Sequence, residues 1–332
     1  MVQRIREISF SEAIREAMSE EMRRDPRVFL MGEDVGVFNG VWGVSQGMFA
    51  EFGEERVRDT AISEISIIGN ALGAAMTGMR PVAEIMFSDF LMCAGDQIVN
   101  QVAKARFMSG GKANVPLTIR VTTGAPGSAG AQHSQSSEAW FLNIPGIKIV
   151  VPSTPADAKG LLKTAMRGED PVLFFEHKML YATKGPVPED PDFVVPFGKA
   201  SVVRQGKDVT IIAISIMLSK ALEAAEELAK EGIDVEVIDP RTLVPLDKET
   251  LIQSVAKTGR VVIAHEAHKR GGPGAEIAAV LAEEAVEYLD APILRVAAKN
   301  VPLPYSPELE NYVLPDKQDI LAAVRSFKIP HQ

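Results

Sequence analysis

Two side chains, Glu64 and His133, stand where an α/β protein can do chemistry. His133 lies in the Gly-, Ala- and Ser-rich segment 122–137, directly after an apolar stretch at 115–121 that predicts a strand. Parallel sheets place their sites at the carboxyl ends of strands, where an imidazole can transfer a proton or orient a substrate. Glu64 opens a segment rich in small residues, where a helix dipole favours a carboxylate. The plain alternatives are a solvated loop histidine and a helix-start residue that Ser63 caps.

Two further motifs favour structural roles. The sequence GGPG at 271–274 precedes a predicted helix and could cradle a phosphate, but it lacks the GxGxxG spacing, so a turn and helix start is favoured. The sequence HEAH at 265–268 differs from HExxH because its second histidine comes one residue too early for two zinc ligands on one helical face. A loop after a strand is the expected structure there.

The bulk composition excludes several classes of protein. The chain has 332 residues, 46% hydrophobic and 24% charged, which favours two globular domains. Its net charge of -9 argues against nucleic-acid binding. Cys93 is the only cysteine, so no internal disulfide is possible. With neither a signal peptide nor a membrane-spanning run, the expected location is cytoplasmic, although a mature organelle matrix protein would look the same.

Alternating strands and helices predict two α/β domains. Helices are expected at 9–24, 63–79, 89–108 and 155–166, between strands that are nearly continuously apolar, such as 28–31 and 171–175. This pattern is typical of a parallel sheet covered on both faces. A proline-containing segment at 182–200 is the predicted linker between a first domain at 1–181 and a smaller one at 201–332.

Three stretches together resemble one family closely: RDTAISEISIIGNALGAAMTG at 58–78, RPVAEIMFSDF at 80–90 and AQHSQS at 131–136. They are similar to the β subunit of the thiamin-diphosphate-dependent 2-oxo acid dehydrogenases, the decarboxylating component of the pyruvate, branched-chain 2-oxo acid and acetoin dehydrogenase complexes. Further matching stretches, from FLMGEDVG at 29–36 to VPLPYSPELENYVLP at 301–315, extend the resemblance over nearly the whole chain. It implies a thiamin pyrimidine-binding domain followed by a transketolase C-terminal-like domain for dimerisation and docking.

The resemblance assigns roles to individual residues. Glu64 matches the glutamate that hydrogen-bonds N1′ of the cofactor's aminopyrimidine, where proton exchange lets the 4′-imino group remove the proton from thiazolium C2. His133 matches the active-site histidine that orients the substrate or the lipoyl group and handles a proton. Phe90 matches the aromatic residue that packs on the pyrimidine ring. The remaining cofactor-lining positions are Glu33, Ile62, Ser63 and Met86.

The family also implies ions and partners. A structural potassium site in some members matches Leu117, Ala165, Met166, Gly168 and Asp170, although Gly168 replaces an acidic or polar residue that is common in relatives. Thiamin enzymes hold the magnesium-diphosphate end through a GDG…N motif, and this chain has no GDG. In this family the α subunit carries that motif and the Mg²⁺. The expected assembly is therefore an α2β2 heterotetramer that acts with a dihydrolipoyl transacylase core.

The expected function is decarboxylation of a 2-oxo acid, or cleavage of acetoin, with transfer of the acyl group to lipoamide. Met86 is typical of the pyruvate and acetoin enzymes, whereas many branched-chain enzymes have Gln there. Two alternatives stay open. One is a split transketolase-like subunit that transfers ketol units, against which the HSQ sequence at 133–135 speaks. The other is an electron-transfer flavoprotein subunit, although no flavin-binding signature occurs.

Overall fold

The computed structural model describes residues 4–125 and 127–329. The chain divides into two units, Met1–Thr123 with Phe141–Phe197, and Gly124–Trp140 with Gly198–Gln332. The segment 124–140, which lies within the first predicted domain, groups with the second unit. The ends of the predicted domains, at 1–3 and 330–332, lie outside the described residues.

The first unit is built on parallel strands. Six of them follow the order β6-β7-β5-β4-β2-β3. The strands among the described residues of this unit are β1 (Ile5–Ser9), β2 (Val28–Gly32), β3 (Val57–Asp59), β4 (Arg80–Ile85), β5 (Thr118–Thr123), β6 (Lys148–Val150), β7 (Val172–His177) and β8 (Lys184–Pro188). Its helices are α1 (Phe10–Arg24), α2 (Met48–Phe52), α3 (Glu64–Met76), α4 (Ala103–Met108) and α6 (Pro155–Arg167), and the short α5 (Ala139–Leu142) crosses the unit boundary.

Local sequence explains the helices that were predicted well. Ser9 caps α1 in a capping box with Glu12, and the buried face of this helix follows the expected apolar spacing. Thr154 caps α6, and Pro155 occupies its first turn, where a missing N–H carries no penalty. These signals are local, which is why the boundaries of both helices agree with the sequence prediction to within a residue or two.

The helix predicted at 89–108 is not one regular α-helix. The structure has a 3-10 segment at Ser88–Ala94, a π-helical segment at Gln97–Val102 and only then α4. The π segment packs against α3, where the Gln97 side chain lies so close that a Cβ at Gly69 would be 3.4 Å from its Oε1. Segments of this kind are frequent at functional sites, and hydrophobic periodicity cannot separate them from α-helix.

Part of the predicted linker is a strand. Residues Lys184–Pro188 form β8, which pairs antiparallel with β1 at the start of the chain. The prolines of β8 are tolerated because this sheet has only two strands, so each strand keeps one edge without a ladder. The pairing joins residues distant in sequence and therefore left no local signal.

The second unit contains a five-stranded sheet in the order β14-β13-β10-β11-β9, parallel except for β9. Its strands are β9 (Ser201–Arg204), β10 (Val209–Ala213), β11 (Val235–Asp239), β12 (Thr242–Val244), β13 (Val261–His268) and β14 (Leu294–Ala298). Its helices are α7 (Met217–Lys230), α8 (Lys248–Thr258), α9 (Pro273–Glu284), α10 (Pro307–Val313) and α11 (Lys317–Arg325). One apolar core joins α7 and α11 to the central strands.

The GGPG and HEAH sequences contact each other in the structure. The HEAH residues complete strand β13 instead of forming the expected loop, and the His265 ring points at the start of α9. A Cβ at Gly272 or Gly274 would come within 2.6 Å of that ring. Gly272 and Gly274 are therefore required by the close approach of the buried His265 ring and, at Gly272, of the His268 carbonyl as well, in agreement with the helix-start interpretation.

No helix among residues 4–125 and 127–329 is long and apolar enough to cross a membrane.

Gly146 offers a test of packing in the first unit. It has φ +102°, and a Cβ there would lie 1.9 Å from the Ala103 carbonyl oxygen, whereas Gly78 has φ +101° with nothing within 4 Å. Gly78→Ala should lower the free energy of unfolding by about 1–2 kcal/mol through backbone strain alone. Gly146→Ala should lower it by roughly 2 kcal/mol more, because it adds overlap. Denaturant unfolding of both variants measures the difference, and equal losses would contradict the close contact.

His265 should make stability depend on pH. Burial, assisted by the charge of Arg295, lowers the pKa of His265 to about 4, below its usual value of 6.5. The unfolded chain therefore takes up a proton first as the pH falls, and stability should drop by about 2 kcal/mol between pH 7 and pH 5. His265→Leu removes the titrating imidazole. We therefore expect the free energy of unfolding, measured with denaturant, to change less with pH in this variant. If the free energy of unfolding falls equally with pH in the wild-type chain and in His265→Leu, the pKa of His265 is not lowered in the folded state.

Candidate functional site

Glu64 is the first residue of α3, which follows β3 after a short loop. Ser63 occupies the N-cap position, but its side chain accepts no N–H of the helix and instead donates to the Ser66 hydroxyl at 2.9 Å. The expected side-chain cap is therefore absent. The half-buried Glu64 carboxyl lies at the positive end of the helix dipole.

Glu33 lies directly after β2 and shares the neighbourhood of Glu64. Burial raises the pKa of Glu33, and the negative charges of Glu64, Asp34 and Glu84 raise it further. Such an influence requires the carboxyl groups to be near one another, because solvent screens distant charges. The structure thus brings together two acids that are far apart in the sequence, and it makes Glu33 a carboxyl that keeps its proton to a higher pH than usual.

A buried ion network lies beside these acids. Arg120, on β5, donates to Glu84 on β4 at 2.6 Å and holds both oxygens of Glu176 on β7 at 2.7 Å. Tyr181 donates to Glu176 at 2.9 Å, and its hydroxyl also bonds to Thr122. Burial by itself would lower the pKa of Arg120, but the two carboxylates raise it overall, so the guanidinium stays charged.

An array of aromatic rings leads from this network to Phe90. The Tyr181 ring lies 5.8 Å from the Trp42 ring, Trp42 lies 6.2 Å from Phe87, and Phe87 lies 5.7 Å from Phe90 in an edge-to-face arrangement. Phe87 and Phe90 flank the start of the 3-10 segment that follows Met86. Such contacts fix ring orientation, so Phe90 is held as a half-buried flat face.

Several large apolar side chains of the first unit are exposed. Ile62 is 83% exposed and Phe107 is 87% exposed. Ile65, Met76 and Met92 are each about half-exposed. Exposed apolar groups in such number are typical of surfaces that another chain or a ligand covers.

His133 belongs to the second unit, whereas Glu33, Glu64 and Phe90 belong to the first. It is half-buried and lies in a loop. A hydrogen bond of 3.2 Å from the Gly124 N–H to the Gln135 carbonyl joins the parts of this loop before and after His133, which are called its first and second arms below. Two carboxylates of the second unit, those of Glu266 and Glu310, bind backbone N–H groups of this loop.

The carbonyl groups expected to hold potassium already accept hydrogen bonds. Arg80 donates through Nη1 to the Met166 carbonyl at 3.1 Å and to the Gly168 carbonyl at 2.7 Å. The carbonyls of Leu117 and Ala165 accept backbone N–H groups, from Val172 and Gly168 respectively. A guanidinium therefore lies at the negative end of the α6 dipole, where a cation is favoured.

Asp170, the side-chain ligand of that expected site, is also engaged. Lys148 bonds to it at 2.6 Å and Arg106 at 2.9 Å. The hydrogen bond from Lys148 lowers the pKa of Asp170, with further lowering by Arg106. A potassium ion at this donor set would therefore have to compete with three cationic side chains, Arg80, Lys148 and Arg106. In the part of the chain that the structure describes, no three His, Cys, Asp or Glu side chains cluster as metal ligands.

Several residues of the site escaped the sequence analysis. Glu84, Arg120 and Glu176 lie in apolar strands, and only their charge inside such strands hinted at a buried network. Trp42 gave no signal, because its partners come from distant segments. Glu266 and Glu310 would have required knowledge of which loop they contact.

Comparison with known proteins agrees with this architecture. The family model described as the transketolase pyrimidine binding domain matches residues 6–184, and the transketolase C-terminal domain matches residues 198–320. A solved structure titled "Split gene transketolase, inactive beta4 tetramer" superposes with a TM-score of 0.78 at 29% identity, over 96% of this chain and 97% of that one.

Sequence relatives are more similar still. The 2-oxoisovalerate dehydrogenase subunit beta of Bacillus subtilis (strain 168) is 49% identical over 96% of this chain and 98% of that protein. The acetoin:2,6-dichlorophenolindophenol oxidoreductase subunit beta of the same organism is 48% identical over 96% of both chains. The pyruvate dehydrogenase E1 component subunit beta of Rhizobium meliloti (strain 1021) is 48% identical over 95% of this chain and 68% of that protein.

These identities exceed that of the split transketolase, and both matched domains argue against the flavoprotein alternative. The fold and the sequence relatives agree with one another. The chain belongs to the family of β subunits of the 2-oxo acid dehydrogenase E1 components.

Proposed function

We propose that this chain supplies the pyrimidine-binding half of a thiamin diphosphate site, whose magnesium-diphosphate end is held by an α subunit. The complete site decarboxylates a 2-oxo acid, or cleaves acetoin, and passes the acyl group to lipoyl groups of a transacylase core. The observation that carries the proposal is Glu64 at the start of α3, together with a second carboxyl, Glu33, whose pKa is raised by burial and by the charge of Glu64.

The residues of the first unit suit the pyrimidine end of this cofactor. Glu64 offers a carboxyl at a helix N-terminus for the ring nitrogen N1′, and Phe90 offers a fixed aromatic face on which a flat ring can pack. Met86, Ile62 and Ser63 are proposed to line the same ring. When bound, the cofactor supplies the carbon nucleophile that attacks the 2-oxo group. Glu64 holds and exchanges the proton at N1′, Glu33 lies near the cofactor, and His133 handles a proton on the substrate side.

The open apolar side chains support the need for a partner. Ile62 and Ile65 flank Glu64 and would lose water if an α chain covered them, which raises the strength of every electrostatic interaction inside. An α2β2 assembly would complete two such sites. The second unit is proposed to serve dimerisation and docking to the transacylase core.

The substrate is proposed from a single position. The relatives named above act by their names on pyruvate, acetoin and a branched-chain 2-oxo acid, at nearly equal identity. Met86 favours pyruvate or acetoin over branched-chain substrates. A substrate panel with the α/β pair decides between these, and sugar phosphates in the same panel test the transketolase alternative.

Replacing the proposed acid should abolish turnover. Glu64→Gln keeps the shape of the side chain but cannot exchange a proton, so we expect thiamin-dependent turnover of the reconstituted α/β complex to fall about 10²- to 10⁴-fold. Turnover is measured with pyruvate and with acetoin, using lipoamide as acceptor. Glu249→Gln is a matched control, because Glu249 is an exposed glutamate in the first turn of α8. A fully active Glu64→Gln enzyme would overturn the proposed function.

No step is assigned to potassium, because an ion at the expected site would have to displace Arg80. A specific ligand of the folded state raises the unfolding temperature. We therefore expect the same Tm in KCl and in NaCl at equal ionic strength. Arg80→Met removes the guanidinium and should lower the Tm in NaCl, with partial recovery in KCl if the carbonyls then accept the ion. A K⁺-specific rise in the Tm of the wild-type chain would contradict this view.

A further inference from the structure

The loop that carries His133 begins on an apolar base within the second unit. Ala125 is fully buried in a cluster with Ala298, Leu303, Val313 and Leu314. The cluster brings together the loop, the end of β14 and helix α10. The start of the loop is therefore part of the core of the second unit and is fixed by packing.

Glu266 joins the two arms of this loop. It lies near the end of β13 and is only 7% exposed. Its Oε1 accepts the Ala125 N–H at 2.7 Å and the Ser136 hydroxyl at 3.2 Å. One carboxylate oxygen on a rigid strand thus bonds to residues on both sides of His133.

Glu310 holds the first arm a second time. It lies on α10 and is 1% exposed, and its Oε2 accepts the N–H groups of Gly127 at 3.2 Å and of Ser128 at 3.1 Å. Successive N–H groups that converge on one anion form a nest. Ser128 has φ +51°, a conformation that non-glycine residues rarely adopt and that the surroundings must hold in place. The two bonds to Glu310 account for this backbone conformation.

Two buried carboxylates can hold a loop in place through strong hydrogen bonds. Charge-assisted bonds to backbone N–H groups are shorter and about twice as strong as neutral ones. A buried carboxylate loses hydration, which only good hydrogen bonds offset. Loops that bear catalytic groups need such support from rigid elements, because their own backbone is otherwise mobile.

We propose that Glu266 and Glu310 are positioning residues for His133, so that the second unit controls the geometry of the histidine loop in addition to any role in assembly. This inference rests on the proposed function, since His133 acts only in that reaction. The two carboxylates hold the arms on either side of His133, and the Gly124–Gln135 bond closes the loop between them.

The proposed support of the loop by Glu266 and Glu310 is tested first on the chain alone, by amide hydrogen exchange. Glu310→Gln keeps the size of the side chain but removes its charge, so exchange at Gly127 and Ser128 should accelerate about tenfold or more. Glu308→Gln is the matched control, because Glu308 lies on the same helix and is exposed. Unchanged exchange in segment 124–137 of Glu310→Gln and of Glu266→Gln would overturn the proposal, whatever the enzyme does.

The connection to His133 is tested by a double-mutant cycle in the reconstituted α/β enzyme. Glu310→Gln and Glu266→Gln should each lower kcat roughly tenfold or more, with cofactor affinity unchanged. In a His133→Ala background the same substitutions should lower kcat no further, because residues that act through one group are not additive. A merely structural role would instead lower activity by the same factor in both backgrounds, and that additivity would overturn the proposal.

Failure of this inference and failure of the proposed function give different results. If Glu64→Gln is inactive while Glu310→Gln and Glu266→Gln turn over like wild type, only the positioning role is wrong. If Glu64→Gln is fully active, the proposed function is wrong, and the inference about His133 falls with it.

Discussion

The buried guanidinium of Arg120 is the interaction on which the first unit's candidate site depends. It bridges carboxylates on β4 and β7, the two strands that flank β5, and one of them, Glu84, contributes to the raised pKa of Glu33. Removing one partner of such a buried pair would destabilise the fold by about 3–5 kcal/mol, because the other charge would be left without compensation. Burial is the main cause of the raised pKa of Glu33, and the negative charge of Glu84 adds to it after the charges of Glu64 and Asp34.

The same network connects the buried charges to the aromatic rings. Tyr181 bonds to Glu176, and its ring lies against Trp42, which in turn contacts Phe87. A buried hydroxyl whose bonds are satisfied has one orientation, so the rings that follow it also have a preferred orientation. The buried ion network and the aromatic face are therefore fixed by one connected set of contacts near the carboxyl ends of parallel strands, where such sheets place their sites.

The second unit uses carboxylates for another purpose. Glu266 and Glu310 bind backbone N–H groups of a loop, whereas Glu84 and Glu176 bind a guanidinium. Both arrangements bury charge, and in both a rigid element carries the acid. The difference is in what is held: a side-chain network in the first unit, and the path of the main chain around His133 in the second. Glycines in GGPG serve a third purpose, since they admit the His265 ring.

The sequence by itself determined the alternation of elements, the helices α1 and α6 with their caps, the family, and the residues Glu64, Phe90 and His133 as candidates. These follow from local signals: apolar period, capping residues and short motifs. Only the tertiary structure decided that 88–108 is broken into three helical types, that 184–188 pairs with the first strand, and that Arg80 lies on the expected potassium carbonyls. It also decided that the His133 loop groups with the second unit and is bound by Glu266 and Glu310. Each of these depends on contacts between residues distant in the chain, and such contacts leave no pattern in any short stretch of sequence.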